Sequence, residues 1–267
     1  MSADEIKQVG WQDILAMAEA QKLTPREVEK DYLKKGIVPL RYIRNINAIS
    51  QEEQLKLLDA RVGVCGCGGL GMYIISHLAR MGVGHISFWD PDIFSESNLN
   101  RQLFASYTNL GQSKIEVCRQ FIQQINPAVS ITASQSRWED ADQSLLRRQQ
   151  VLVDALDNIP SRLLLAKMCA GEGIPLVHGA VGGWYGQITV IMPGDQSLQD
   201  LYGASVGEGL EKEQGTLPFT AAVVASLQAA EVIKLLLERE SDLRDEICMV
   251  DLLDLSIERF KKGVTPV

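Results

Sequence analysis

Apolar residues along this chain fall into two rhythms. Short runs of four to six alternate with longer stretches of helical spacing, as in an α/β protein. Val62-Gly63-Val64-Cys65 reads as a strand, and Leu70 to Met81 as a helix with Gly82 as its C-terminal cap. His85 to Asp90 is a second strand, and Val151 to Asn158 an apolar strand ending in two acids. Ile174–His178 and Gly186–Met192 are further strands, and Glu246–Phe260 a terminal strand pair. Ala221–Leu237 is a long apolar helix suited to a core or a dimer interface. Before the first strand the pattern is helical. Trp11, Ile14, Leu15 and Ala18 share one face, and Thr24-Pro25-Arg26-Glu27 is a capping box with proline at the first helical position. Ser50 to Glu53 caps another helix. We therefore expect an open, mostly parallel Rossmann-like sheet with helices on both faces and a mixed or antiparallel C-terminal extension. A helical segment, 1–39, precedes the main domain, 40–267.

Between the first strand and its helix stand Gly66, Gly68, Gly69 and Gly71. Glycines let backbone approach an anion, and the helix N-terminus offers free N–H groups and a positive dipole end. Such a turn binds NAD, FAD, ATP or nothing, and alone it does not choose. Asp90 lies about 20 residues further on, where a ribose hydroxyl is held in dinucleotide folds; before Pro91 it is also a plain turn residue. The loop Ser95 to Gln102 tilts the balance, because packing does not require so dense a polar cluster. Arg101, with Lys114 at the next helix start, suits a triphosphate. Asp157 is a candidate for Mg²⁺, which takes one or two carboxylates plus phosphate oxygens. Asp154 is equally a metal-side acid or a buried, hydrogen-bonded one.

Composition narrows the class. The 267 residues are 46% hydrophobic, enough for a sizeable core, and the net charge of −8 argues against a nucleic-acid surface. The polar N-terminus and the lack of an apolar run near 18 residues lead us to expect a cytoplasmic chain without a membrane span. Five cysteines, Cys65, Cys67, Cys118, Cys169 and Cys248, form neither a disulfide framework nor a C-x-x-C pair. Cys65, Cys118 and Cys169 read as buried small hydrophobes, whereas Cys67 lies in the glycine turn, where nearby phosphate charge should raise its pKa and make it a poor nucleophile. His178 has no evident partner and reads as structural or as lining a substrate tail.

Taken in order, RYIRN, GCGGLG, WDPD, SNLNRQ, GQSK, DALDN and GQITV resemble the ThiF/MoeB/HesA family of ubiquitin-like-protein activating enzymes, over about Arg41 to Lys234. The resemblance implies Mg-ATP-dependent adenylation of the C-terminal glycine of a ubiquitin-like sulfur-carrier protein ending in Gly-Gly. A sulfurtransferase would then deliver sulfur. It implies that Gly66, Gly68, Gly69 and Gly71 cradle phosphates and that Asp90 holds the ribose. Asn98, Arg101, Gln102 and Lys114 would contact phosphates, Asp157 magnesium, and Asn158 would join the nucleotide site. Arg44 would reach the ATP of the other protomer of a homodimer. A crossover loop, about Pro193 to Phe219, would guide the carrier tail. Two departures stand out. Ser197 to Tyr202 occupies the place of the family's first zinc-binding cysteine pair, with no second pair near Cys248, so no zinc is expected. The loop also has no cysteine, so adenylation should need no enzyme thiol. An NAD-dependent oxidoreductase and a non-catalytic scaffold are the competing readings.

Overall fold

The computed structural model describes residues 6–203 and 211–263. Part of the expected crossover loop, 204–210, lies outside the described residues. The chain opens with a two-residue strand β1 (Gln8–Val9), helices α1 (Trp11–Gln21) and α2 (Pro25–Lys34), and β2 (Val38–Pro39), which pairs parallel with β1. The capping box Thr24/Glu27 and Pro25 start α2 as the sequence predicts, and Ser50/Glu53 start α3 (Gln51–Asp59) in the same way. Then follow β3 (Arg61–Cys65), α4 (Gly71–Met81), β4 (His85–Trp89), α5 (Lys114–Ile125) and β5 (Ser130–Ser134). Next come α6 (Gln143–Arg147), β6 (Val151–Asp154), α7 (Ile159–Glu172), β7 (Leu176–Gly182) and β8 (Tyr185–Ile191). The chain continues through α8 (Ser197–Tyr202), α9 (Glu211–Gln214), α10 (Pro218–Leu236), β9 (Glu246–Asp251) and β10 (Ser256–Lys261). The sixth strand stops at Asp154, so Asp157 stands in the following loop rather than at the strand end that the apolar run suggests.

Among the described residues, eight strands form one sheet in the order β10-β9-β8-β7-β6-β3-β4-β5. The five from β7 to β5 are parallel and the three from β8 to β10 antiparallel. Strand alternation divides the core. Val64, Val153 and Val177 face α4, α5 and α10, while Cys65, Leu152 and Leu176 face α6, α7 and α8. By length and composition α10 could cross a membrane, contrary to the reading of the sequence. It packs against α4 and strands β6 to β8, where Ala221, Val224, Ala225 and Val232 are fully buried, so its apolarity is that of a core helix.

The chain departs from β3 toward one face and from β6 toward the other. The resulting crevice lies at the C-terminal ends of these two neighbours, where open α/β sheets bind ligands. The turn leaving β3 leaves no room for side chains. Gly66 has φ +100°, and a Cβ there would lie 2.5 Å from the Ala155 carbonyl oxygen. A Cβ on Gly71 would lie 2.0 Å from the Gly66 oxygen.

The N-terminal helices are tied to the domain through a buried polar group. Glu29, on α2, is fully buried beside Arg41 and Tyr42, whose ring hydroxyl bonds to Asn126. Arg41 also lies over the Trp11 ring. Burial pushes the Glu29 carboxyl up to about 7, against the opposing pull of Arg41 and Tyr42. The folded state therefore holds this proton at pH values where the unfolded chain releases it. Stability should fall as pH rises from about 4.5 to about 7, by roughly 3 kcal/mol if this group acts alone. In Glu29→Gln that loss should disappear. Urea titrations of both proteins at pH 5 and pH 8 check it; identical pH dependence refutes the assignment.

Candidate active site

The crevice opens into a cleft of about 500 Å³. Its floor is the glycine turn. The Gly68 position is open, with Gln102 Nε2 the nearest atom to a Cβ at 4.0 Å, while Gly69 lies against the aliphatic part of Arg101. The bare backbone of these residues is thus accessible to a ligand. Gly71 is not on the wall. It is buried at the first position of α4, and its lack of a side chain serves the contact with Gly66.

Asp90 follows β4 directly and is 6% exposed. Its carboxylate accepts the Cys67 N–H at 2.7 Å and the Asp92 N–H at 2.8 Å, pinning the glycine turn to the β4 loop. Burial raises its pKa above the ordinary value, opposed by Lys114 and by these two backbone bonds. Lys114 is buried at the start of α5, with its ammonium 2.8 Å from Asp92 and 3.9 Å from Asp90. The cation expected at the phosphates is thus held by two carboxylates on the cleft wall. Asn98 caps a short 3₁₀ turn through its side-chain oxygen and the Ser95 N–H, and Arg101 donates to the Ser97 carbonyl and Asn100. Gln102 is buried, and its Oε1 has no partner among the described residues. An orphaned buried acceptor on a cleft wall is a place where a ligand donor fits.

Across the cleft, Asp157 is exposed in the loop after β6, and Asn158 caps α7 by accepting the Ser161 N–H. The structure therefore gathers Gly66, Gly68, Gly69, Asp90, Asn98, Arg101, Gln102, Lys114, Asp157 and Asn158 around one cavity. Arg44 is elsewhere. It is exposed on the turn after β2 and does not line the cleft of its own chain.

Several wall residues escaped the sequence reading. Asp92, Arg137, Trp138, Glu139, Ser161 and Arg162 all line the cleft. The run Arg137 to Glu139 follows β5, a fourth parallel strand whose C-terminal end faces the same crevice, and this was the available signal. Two other readings change. His178 does have a partner: its Nδ1 is 2.7 Å from Asp154, and both residues are completely buried. Burial holds the imidazole below its ordinary pKa, opposed by Asp154. Cys67 has a poorly nucleophilic thiol because its side chain is buried in the core beside Cys118, not because phosphate charge is near. Burial likewise raises Cys65 and Cys248 and pushes Cys169 up to about 12.

The fit to a nucleotide triphosphate rests on the accessible glycine floor, the cations at Arg101 and Lys114, and the orphaned Gln102 oxygen. No group of three or more metal-ligating side chains occurs among the described residues. A lone carboxylate at Asp157 suits Mg²⁺ that takes most of its ligands from phosphate and water.

The ThiF family model matches residues 42–265. The chain is 35% identical over 232 residues to the SAMP-activating enzyme E1 of Haloferax volcanii, covering 85% of this chain and 86% of that protein. It is 33% identical over 205 residues to the sulfur carrier protein ThiS adenylyltransferase of Escherichia coli, covering 74% and 81%. A crystal structure of E. coli MccB with ATP superposes with a TM-score of 0.67 at 23% identity, covering 85% of this chain and 72% of that one, a likeness of fold.

The double role of Asp90 gives a test. Asp90→Ala should leave the buried Cys67 N–H unpaired and cost about 1–3 kcal/mol in urea unfolding. The same variant should bind ATP more weakly. Wild-type stability would show that the turn is not pinned through this carboxylate.

Proposed function

The chain belongs to the ThiF family, and from this we propose that it uses ATP to adenylate the C-terminal glycine of a ubiquitin-like sulfur-carrier protein ending in Gly-Gly. The observation that carries the reading is the convergence of Arg101, Lys114 and Asp157 on the glycine floor at the β3/β6 crossover. That arrangement supports triphosphate chemistry over a dinucleotide site, which needs less positive charge and no metal-side acid.

The carrier's terminal carboxylate attacks the α-phosphorus of ATP, the bond to the bridging oxygen breaks, and pyrophosphate leaves. A carboxylate is ionised at pH 7, so the step needs no general base. What it needs is alignment and cancellation of anionic charge. Gly66, Gly68 and Gly69 offer backbone, Asn98 and Gln102 polar contacts, and Asp90 a ribose partner. Lys114 neutralises phosphate by exchanging Asp92 for a phosphate oxygen, a swap of one anion for another at a charge already desolvated. Asp157 would hold Mg²⁺, which would supply further neutralisation of the phosphates. No thiol takes part, in keeping with five buried cysteines; sulfur comes afterwards from a separate sulfurtransferase. No structural zinc is assigned. The segment Ser197–Tyr202 is the helix α8 and offers no thiolate.

Arg44 acts in trans in this proposal. Its exposure, away from its own cleft, supports a role at the cleft of a second protomer in a homodimer.

Two experiments test these assignments. Asp157→Ala should reduce magnesium-dependent ATP–pyrophosphate exchange roughly a hundredfold or more while leaving the unfolding midpoint unchanged. Exchange at the wild-type rate removes Asp157 from the site. Separately, mixing Arg44→Ala with Lys114→Ala should return part of the activity, because a hybrid dimer rebuilds one complete site. If native mass spectrometry finds hybrid dimers and activity stays absent, the trans role is wrong.

A further inference from the structure

On the face of the sheet covered by α7 and α8, strands β6, β7 and β8 carry Asp154, His178 and Gln187. Leu152, Leu165, Leu176, Ile191 and Leu198 surround them, so the group sits in an apolar layer. Burying a carboxylate there is costly unless every charge and polar atom is engaged, and packing alone would be served by apolar residues. The donors and acceptors form one consistent chain. His178 is neutral because burial depresses its basicity. Its Nδ1–H donates to Asp154 Oδ2 at 2.7 Å, leaving Nε2 to accept from the Tyr202 hydroxyl at 3.1 Å and from the Gln187 amide at 3.3 Å. The Tyr202 oxygen accepts from Gln187 at 2.7 Å and from Arg162 at 3.2 Å.

The other end of this chain of bonds reaches the cleft. Asp154 Oδ1 accepts the Leu156 N–H at 3.0 Å, and the Leu156 carbonyl accepts from both Nε and NH2 of Arg162. Both backbone polar groups of Leu156 are therefore held by these side chains, one residue before Asp157. Gln228 of α10 fixes the Asp154 carbonyl from the opposite face of the sheet at 2.9 Å. At its far end Tyr202 is the last residue of α8, in the segment between β8 and α10.

We propose that the buried pair Asp154 and His178 and the half-buried Tyr202 form a relay that ties the Leu156–Asn158 loop to helix α8, making His178 and Tyr202 positioning residues for Asp157. Neither side chain lines the cleft. Their effect passes through Leu156, so the segment after β8 and the acid facing the phosphates adopt their positions together. Only the kinetic half of the test rests on the adenylation reading.

Tyr202→Phe removes the hydroxyl and keeps the ring whose edge faces His178. His178→Asn keeps an N–H for Asp154 but no longer reaches Tyr202. Both cut the same link. In the nucleotide-free protein, hydrogen exchange in peptides spanning residues 152–160 should be about tenfold faster in either variant, the change expected from losing one hydrogen bond. Exchange unchanged in folded protein overturns the relay. In ATP–pyrophosphate exchange, the Mg²⁺ concentration for half-maximal rate should rise about fivefold, with the rate at saturating Mg²⁺ within about twofold of wild type. The double variant should match the larger single effect, since one link cannot be cut twice. A rate lowered equally at all Mg²⁺ concentrations, or shifts that multiply in the double variant, overturns the positioning role. If wild type itself shows no ATP–pyrophosphate exchange, the adenylation reading fails, and the hydrogen-exchange comparison decides the relay by itself.

Discussion

The close approach of the turn after β3 to the loop after β6 is the constraint on which the site depends. A methyl group at Gly66 would overlap the Ala155 carbonyl, and one at Gly71 would overlap Gly66 itself. Because neither is there, the Gly66 N–H bonds to Trp89 and the Ala155 N–H to Cys65, binding the ends of β3, β4 and β6 into one rim. The groups that line the cleft within one protomer spring from this rim, from the loops that leave it or from the helices it launches. Asp90 then fastens the turn to the next loop with two backbone bonds, so the scaffold and the ligand site share an atom set. Preorganisation of this kind costs nothing at the moment of reaction.

Much of this was legible in the sequence, because the signals were local. Caps at Thr24 and Ser50, the glycine turn, the acid closing β4 and the lysine opening α5 each report on a few consecutive residues. What was not legible depends on partners distant along the chain. His178 carries no sign that Asp154 lies beside it, because that pairing exists only when β6 and β7 align in register. Lys114 reads as a free phosphate ligand, yet it meets Asp92 across a loop. The apolar run into Asn158 hides the point at which backbone leaves the sheet, since hydrophobicity does not distinguish a strand end from a buried turn. Helix α10 is apolar enough for lipid by length and composition, yet it packs on the sheet as the core helix its apolar run suggests.

The two faces of the sheet are unequal. The face toward α4, α5 and α10 is packed by one large apolar cluster, whereas the face toward α7 and α8 carries the carboxylate, imidazole and guanidinium below the cleft. Stability is concentrated on the first and polar organisation on the second. A substitution in the second layer therefore has two distinct effects, one on folding and one on the loop before Asp157, and only separate measurements tell them apart.

Among the described residues the strand β10 ends the sheet with an unpaired edge, and its alternation sets Ile257, Arg259 and Lys261 on one face and Ser256, Glu258 and Phe260 on the other. Arg259 and Lys261 lean back onto Glu246 of β9, so their charge is balanced within the hairpin while their bulk stays on the rim. Apolar side chains at Leu255 and Ile257 would otherwise make this rim a template for stacking one molecule on another. The charged residues interrupt that template. An antiparallel pairing of two such edges must accommodate an acid and two bases from each copy, so the last strand of the sheet resists the edge-to-edge addition of a second molecule.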